Sequence, residues 1–92
     1  MSGRITVLVI SKHPHWVRQI TESIARGFEC TILVASTPLS GLEMARQFQP
    51  HVIHVDGTVE LVEGGSYLEL LKDISKPSKV ILVNERSSAV AD

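Results

Sequence analysis

Residues Ile5–Ile10 have the sequence ITVLVI, an uninterrupted apolar run of mostly β-branched residues, and this run decides the fold class. A strand covered on both faces has this composition, because each side of the sheet must bury its side chains. Three further runs along the chain are similarly apolar. They are Cys30–Ala35 (CTILVA), Val52–Val55 (VIHV) and Val80–Val83 (VILV). The sequence therefore predicts four strands that are buried on both faces.

Each interval between two of these strands carries the signals of one helix. Pro14 fits a first helical turn, where its missing N–H costs nothing, and Gly27 fits a C-cap. Thr37 and Pro38 fit an N-cap and the first helical position of a helix that stops before Pro50. A capping box, Ser-Tyr-Leu-Glu, opens the third helix. The predicted helices span 14–27, 38–48 and 66–74.

Four strands joined by single helices predict a parallel sheet, because each crossover must return right-handed to the same end of the sheet. In such sheets ligands bind beyond the carboxyl ends of the strands. We therefore expect any chemistry at the residues that follow the four strands. These are Ser11-Lys12-His13, Ser36-Thr37, Asp56-Gly57 and Asn84-Glu85.

Length and composition indicate one small folded domain over residues 1–92, with 84–92 as a polar tail or the start of a fourth helix. A net charge of −1 offers no attraction to a polyanion, so we expect no direct binding of nucleic acid. The apolar runs fall far short of the roughly 20 residues that span a bilayer. The N-terminus lacks the pattern of a signal peptide. We therefore expect a cytoplasmic protein without membrane contact.

Three stretches together resemble the receiver domain of bacterial response regulators. They are ITVLVISKHPHWVR (5–18), PHVIHVD (50–56), and GSYLELLKDI (65–74) leading into VILVN (80–84). The first is similar to the opening strand and His-Pro turn of receivers in transcription regulators, and the second to the strand with the phosphorylated aspartate. The resemblance implies a flavodoxin-like three-layer α/β sandwich with strand order 2-1-3-4. The fifth strand and helix of the family have no counterpart in this sequence.

The resemblance also assigns the site. It makes Asp56 the counterpart of the phosphoacceptor, and it places Ser11 and Lys12 at the two consecutive acids that hold magnesium in the family. Asn84 falls on the hydroxyl residue that closes over the phosphoryl group. Magnesium prefers carboxylate oxygens, so a hydroxyl and an ammonium remove most of the attraction for it. We therefore expect no metal and no cofactor.

The polar residues near Asp56 leave alternatives open. Lys12 either pairs with Asp56 as a fixed charge in place of the metal, or extends its ammonium into solvent. His13 and His54 could approach Asp56 and form a metal site, although no metal-binding spacing supports one. His54 is otherwise expected to be a core histidine with a hydrogen-bond partner. Trp16 is expected to pack in the core, as is the reduced Cys30.

These features favour a pseudo-receiver, a non-enzymatic signalling module that acts by protein contact or dimerisation without the usual phosphorylation. In a longer chain it would precede a DNA-binding domain. One alternative is a receiver that is still phosphorylated on Asp56. The other is a small nucleotide- or cofactor-binding protein, which would need a phosphate-binding loop that the sequence lacks. The expected dimer contact is the open edge formed by Val80, Ile81, Leu82 and Val83.

Overall fold

The computed structural model describes residues 5–27, 29–57 and 66–83. Strands and helices alternate in these ranges. The elements are β1 (Ile5–Ile10), α1 (Pro14–Gly27), β2 (Cys30–Ala35), α2 (Pro38–Phe48), β3 (Val52–Asp56), α3 (Ser66–Ile74) and β4 (Lys79–Val83). Each predicted strand and helix is present, with β3 one residue longer at its end and β4 one residue longer at its start. Asn84, the rest of 84–92 and the side chain of Val83 lie outside the described residues.

The four strands form one parallel sheet in the order β2-β1-β3-β4, which confirms the predicted fold class. Ile10, the last residue of β1, pairs with Ala35 on one side and with Val55 on the other. Asp56 pairs with Val83 and is therefore the last residue of β3. The carboxyl ends of all four strands consequently meet at one edge of the sheet.

Alternation along β1 divides the core between the two faces of the sheet. Leu8 and Ile10 are fully buried on the face covered by α2 and α3. Val7 and Val9 are buried on the other face, where α1 packs and Trp16 is only 4% exposed. A strand covered on both faces must be apolar at every position, as ITVLVI is. Trp16 is thus a core residue, as predicted.

The ends of α2 are capped by side-chain and backbone hydrogen bonds. The Thr37 hydroxyl accepts a hydrogen bond of 3.1 Å from the backbone N–H of Ser40, which confirms the predicted N-cap. Gln49 has the left-handed conformation, with φ of 46°, and its N–H donates to the Ala45 carbonyl at 3.0 Å. These contacts satisfy terminal backbone groups and end the helix before Pro50.

Gly41 lets α2 approach β1 closely. A Cβ atom at this position would lie 2.7 Å from Ile10 Cδ1 and 2.8 Å from the Tyr67 hydroxyl. Both distances are too short for a real contact, so a larger residue would force the Ile10 and Tyr67 side chains, or α2 itself, to shift. Glycine therefore sets the spacing between α2, β1 and α3.

Candidate functional site

Ser11 and Asp56 lie side by side at the carboxyl edge of the sheet. The pair Ile10–Val55 is the last in the register of β1 and β3, and Ser11 and Asp56 are the residues that follow it. Both are buried, Ser11 with 2% and Asp56 with 0% of its surface exposed. A buried carboxylate is costly unless it receives hydrogen bonds, so its contacts define what this site can do.

The Ser11 hydroxyl links Asp56 to the turn that follows β1. Its Oγ donates to Asp56 Oδ2 at 2.7 Å and accepts from the backbone N–H of His13 at 3.0 Å. The Ser11 N–H donates to the Ala35 carbonyl at 3.0 Å, which extends the β1–β2 pairing by one residue. Ser11 is thus fixed through its backbone and its side chain. A hydrogen bond to a carboxylate is among the strongest available to a hydroxyl.

His13 is the second side chain beside the carboxylate. Its Nε2 lies 3.8 Å from Asp56 Oδ2, and 43% of its side chain is exposed. The distance is too long for a hydrogen bond, but a protonated imidazole at this position would form an ion pair with Asp56. The sequence pattern points to His13 only as a metal ligand, so its place beside the Asp56 carboxylate is a finding of the structure.

Lys12 is exposed, as expected if its ammonium lies in solvent. This exposure favours a Lys12 ammonium that extends into solvent over a fixed ion pair with Asp56. Asn84, the remaining residue assigned by the resemblance, lies outside the described residues. Within the described part of the chain, Ser11, His13 and Asp56 are side chains that meet at this edge.

The described residues at this edge do not fit a magnesium ion. Among residues 5–27, 29–57 and 66–83, no three His, Cys, Asp or Glu side chains come close enough to hold a metal. His13, His54 and Asp56 accordingly do not assemble into the metal site considered above. Magnesium needs several oxygen ligands, and here the single carboxylate already accepts from the Ser11 hydroxyl.

His54 is half-buried in the middle of β3, between Val9 of β1 and Ile81 of β4 in the register. Its Nδ1 is buried and has no hydrogen-bond partner within the described part of the chain. The expectation of a satisfied core histidine is thus wrong for this atom, because both strand neighbours present apolar side chains. Burial lowers the pKa of His54 below its ordinary value, since desolvation penalises the charged imidazolium.

We expect His54 to make the fold less stable as the pH falls. Because the pKa is lower in the folded chain, the unfolded chain binds a proton first as the pH drops below about 6.5. The free energy of unfolding is therefore unaffected by protonation of His54 above that pH, and it decreases as the pH falls towards the lowered pKa. Urea unfolding at pH 7.5 and 5.5 should show a larger loss of stability in the wild type than in His54→Leu.

His15→Leu is the matched control for this comparison, because His15 is exposed on α1. Its pH dependence should follow that of the wild type. If His54→Leu and the wild type lose the same stability between the two pH values, burial of His54 does not penalise its charged form.

Comparisons with known proteins agree with the geometry. The sequence matches no protein-family model and no curated protein. The structure matches 14 solved chains, among them the response regulator domain of Thermotoga maritima CheB, with a TM-score of 0.69 and 25% sequence identity. The match covers 89% of this chain and 61% of that one, so this chain spans less than two thirds of the CheB domain.

The chain therefore has the fold of a response-regulator receiver domain, which confirms the resemblance carried by its sequence. The strand order of the sheet, β2-β1-β3-β4, is the flavodoxin-like order and leads to the same conclusion. None of the described helices is both long and apolar enough to cross a membrane.

Proposed function

We propose that this chain is a pseudo-receiver, a signalling module that works through protein contacts without the magnesium-dependent phosphorylation of its relatives. One observation carries the proposal: the hydroxyl of Ser11 donates at 2.7 Å to Asp56 Oδ2 at the position where the resemblance expects a metal-holding acid. The buried carboxylate is thereby engaged by the protein itself. The same resemblance makes Asp56 the phosphoacceptor, so a phosphoryl group would have to be accepted by a carboxylate that already receives this hydrogen bond.

Charge supports the proposal. Phosphoryl transfer needs positive charge that neutralises the oxygens of the transferred group, and magnesium supplies it in this class of reaction. Ser11 and Lys12 provide no carboxylate to hold such an ion. Asp56 is also fully buried, so its carboxylate is not exposed to a phosphodonor in this structure.

Incubation with a small phosphodonor and magnesium tests this function directly. We expect the intact mass of the domain to stay unchanged, because Ser11 and Lys12 supply no carboxylate to hold magnesium and the Asp56 carboxylate is buried. Transfer of a phosphoryl group to Asp56 would contradict the proposal.

The second candidate is a receiver that still accepts a phosphoryl group on Asp56. It is favoured by His13, whose Nε2 lies 3.8 Å from Asp56 Oδ2 and would carry positive charge when protonated. Lys12, one residue earlier, is exposed and could turn towards an incoming phosphate. In this alternative the two cations replace the metal.

In this proposal the module acts through its contacts with other proteins. We place it in the cytoplasm, without catalysis of its own, passing its signal to a partner such as a DNA-binding domain in a longer chain. Among these contacts we propose self-association through the β4 edge of the described sheet. In the described sheet, β4 pairs with β3 on one side and forms the edge on the other. Ile81 is half-buried there, and 40% of Leu82 is exposed.

An apolar edge strand offers unpaired backbone groups to a second chain, and a two-fold dimer is the commonest closed result. Ile81→Lys should therefore lower the average mass measured by sedimentation equilibrium at micromolar concentrations. Leu82→Lys, at a more exposed position, should do the same with less risk to the fold. Thr31→Lys places an equal charge on the opposite edge strand, β2, and should leave the mass unchanged.

The three variants separate an edge contact from a general effect of charge. A wild-type chain that is monomeric at every concentration would rule out the contact. An equal decrease of the average mass in Thr31→Lys would show that the contact is not specific to β4.

A further inference from the structure

A groove runs between α2 and α3 on the face of the sheet opposite α1. It consists of two adjoining hollows of about 320 and 250 Å³, which share Leu39, Leu42 and Leu70 as lining residues. Leu39 is 66% exposed and Leu70 is 46% exposed. A single exposed leucine is ordinary, but two that border the same hollow form a continuous apolar surface.

Hydrogen bonds join the two helices at both ends of the groove and fix their spacing. At one end the Tyr67 hydroxyl of α3 donates to the Pro38 carbonyl of α2 at 2.6 Å. At the other end Gln49 Nε2 donates to the Ile74 carbonyl at 2.9 Å. The spacing of α2 and α3 is thus fixed before anything binds. A preformed surface loses little conformational freedom on association, which favours its use as an interface.

The rim of the groove carries one charge of each sign. Glu43 and Arg46 line the second hollow, are exposed, and stand three residues apart on α2. Within the described part of the chain, neither has an ion-pair partner within 4 Å. Both charges are therefore available to a molecule that docks on the groove.

This pattern of charges is complementary to itself. A two-fold axis that crosses α2 midway between Glu43 and Arg46 sets two α2 helices antiparallel. Glu43 of each copy then faces Arg46 of the other, so both pairs are attractive. Leu70 lies near the middle of the groove and would meet the apolar residues of the second copy. A two-fold interface requires a surface that is complementary to itself, since the same patch contacts its own copy.

We propose that the α2–α3 groove is a second, two-fold interface between copies of this chain, closed by leucine contacts and by two reciprocal Glu43–Arg46 pairs. This interface rests on the proposed function, because both assume that the domain acts by contact with protein. It is a different surface from the β4 edge, because it lies across two helices. A chain with both contacts assembles beyond the dimer.

Sedimentation equilibrium on the intact chain tests the proposal, with Ile81→Lys as background to remove the edge contact. This variant should still form a dimer, and adding Leu70→Lys should make it monomeric. Glu43→Arg and Arg46→Glu, tested singly in the same background, should each raise the dimer Kd about fivefold or more, since both reciprocal pairs become repulsive. Lys72→Glu, an exposed charge reversal on α3 outside the groove lining, should leave the Kd unchanged.

An equimolar mixture of the two charge variants provides the sharpest result. Glu43→Arg in one chain and Arg46→Glu in the other restore opposite charges at both contacts, so the mixture should dimerise as tightly as the background. A mixture that stays weak would overturn the antiparallel arrangement. A background chain that is monomeric at every concentration would overturn the groove interface while leaving the edge contact standing. Leu82→Lys replaces Ile81→Lys as the background if the latter fails to fold.

Discussion

Replacing Ser11 with alanine is expected to lower the free energy of unfolding by about 2–3 kcal/mol, the range for losing a buried hydrogen bond to a charged group. The variant removes the donor that reaches Asp56 Oδ2 at 2.7 Å and the acceptor for the His13 N–H. Urea denaturation at neutral pH measures the change. Lys12→Ala is the matched control, because Lys12 is adjacent in sequence but exposed, and it should cost less than about 0.5 kcal/mol.

The control also decides the role of Lys12. A loss of about 1–3 kcal/mol in Lys12→Ala would restore the fixed ion pair with Asp56 as its role. The coupling between Ser11 and Asp56 can be isolated by adding Asp56→Asn to both backgrounds. Ser11→Ala should cost much less when residue 56 is an amide. An unchanged cost would mean that Ser11 stabilises the fold without the carboxylate.

The double substitution Ser11→Asp with Lys12→Asp is expected to create a magnesium-dependent fold. It places two carboxylates next to Asp56, the acid cluster that the resemblance expects in active receivers. Like charges placed close to the buried Asp56 repel it, so the variant should be less stable than the wild type without metal. Magnesium should recover about 2–3 kcal/mol when its concentration reaches a hundred times its Kd.

Thermal unfolding with and without magnesium measures this gain, and the fluorescence of Trp16 offers a second signal from the α1 side of the core. The matched control is Ser11→Asn with Lys12→Asn, which keeps the shape of the side chains and removes their charge. Neither this control nor the wild type should respond to magnesium. A wild-type response of similar size would show that Ser11 and Lys12 do not prevent metal binding.

The strands and helices could be predicted from the sequence to within a residue at each end. Continuous apolar runs locate strands that are buried on both faces, and proline, threonine and glycine locate the ends of helices. The two differences are at polar residues, Asp56 and Lys79, which belong to strands only because their backbones pair with neighbours. Hydrophobic patterns are insensitive to such residues, because pairing is a property of the backbone.

The site was less predictable than the fold. The sequence predicts Ser11 and Asp56 at one edge of the sheet, but it does not predict the hydrogen bond between them. A signal did exist, since both residues follow paired positions in adjacent strands and so fall on the same side of the sheet. The Nδ1 of His54, which has no hydrogen-bond partner among the described residues, and the leucines exposed on α2 and α3 have no such signal. They depend on how three elements pack together.

The chemistry of Asp56 is tested most directly by intact-mass measurement after incubation with acetyl phosphate and magnesium. Three samples are compared: the wild type, Asp56→Asn, and the double variant with aspartate at both positions 11 and 12. A pseudo-receiver predicts no change in mass for the wild type, because the Ser11 hydroxyl engages a buried carboxylate and no acid pair holds the metal. A gain of one phosphoryl group by the wild type, absent from Asp56→Asn, would contradict the account and make Asp56 a working phosphoacceptor.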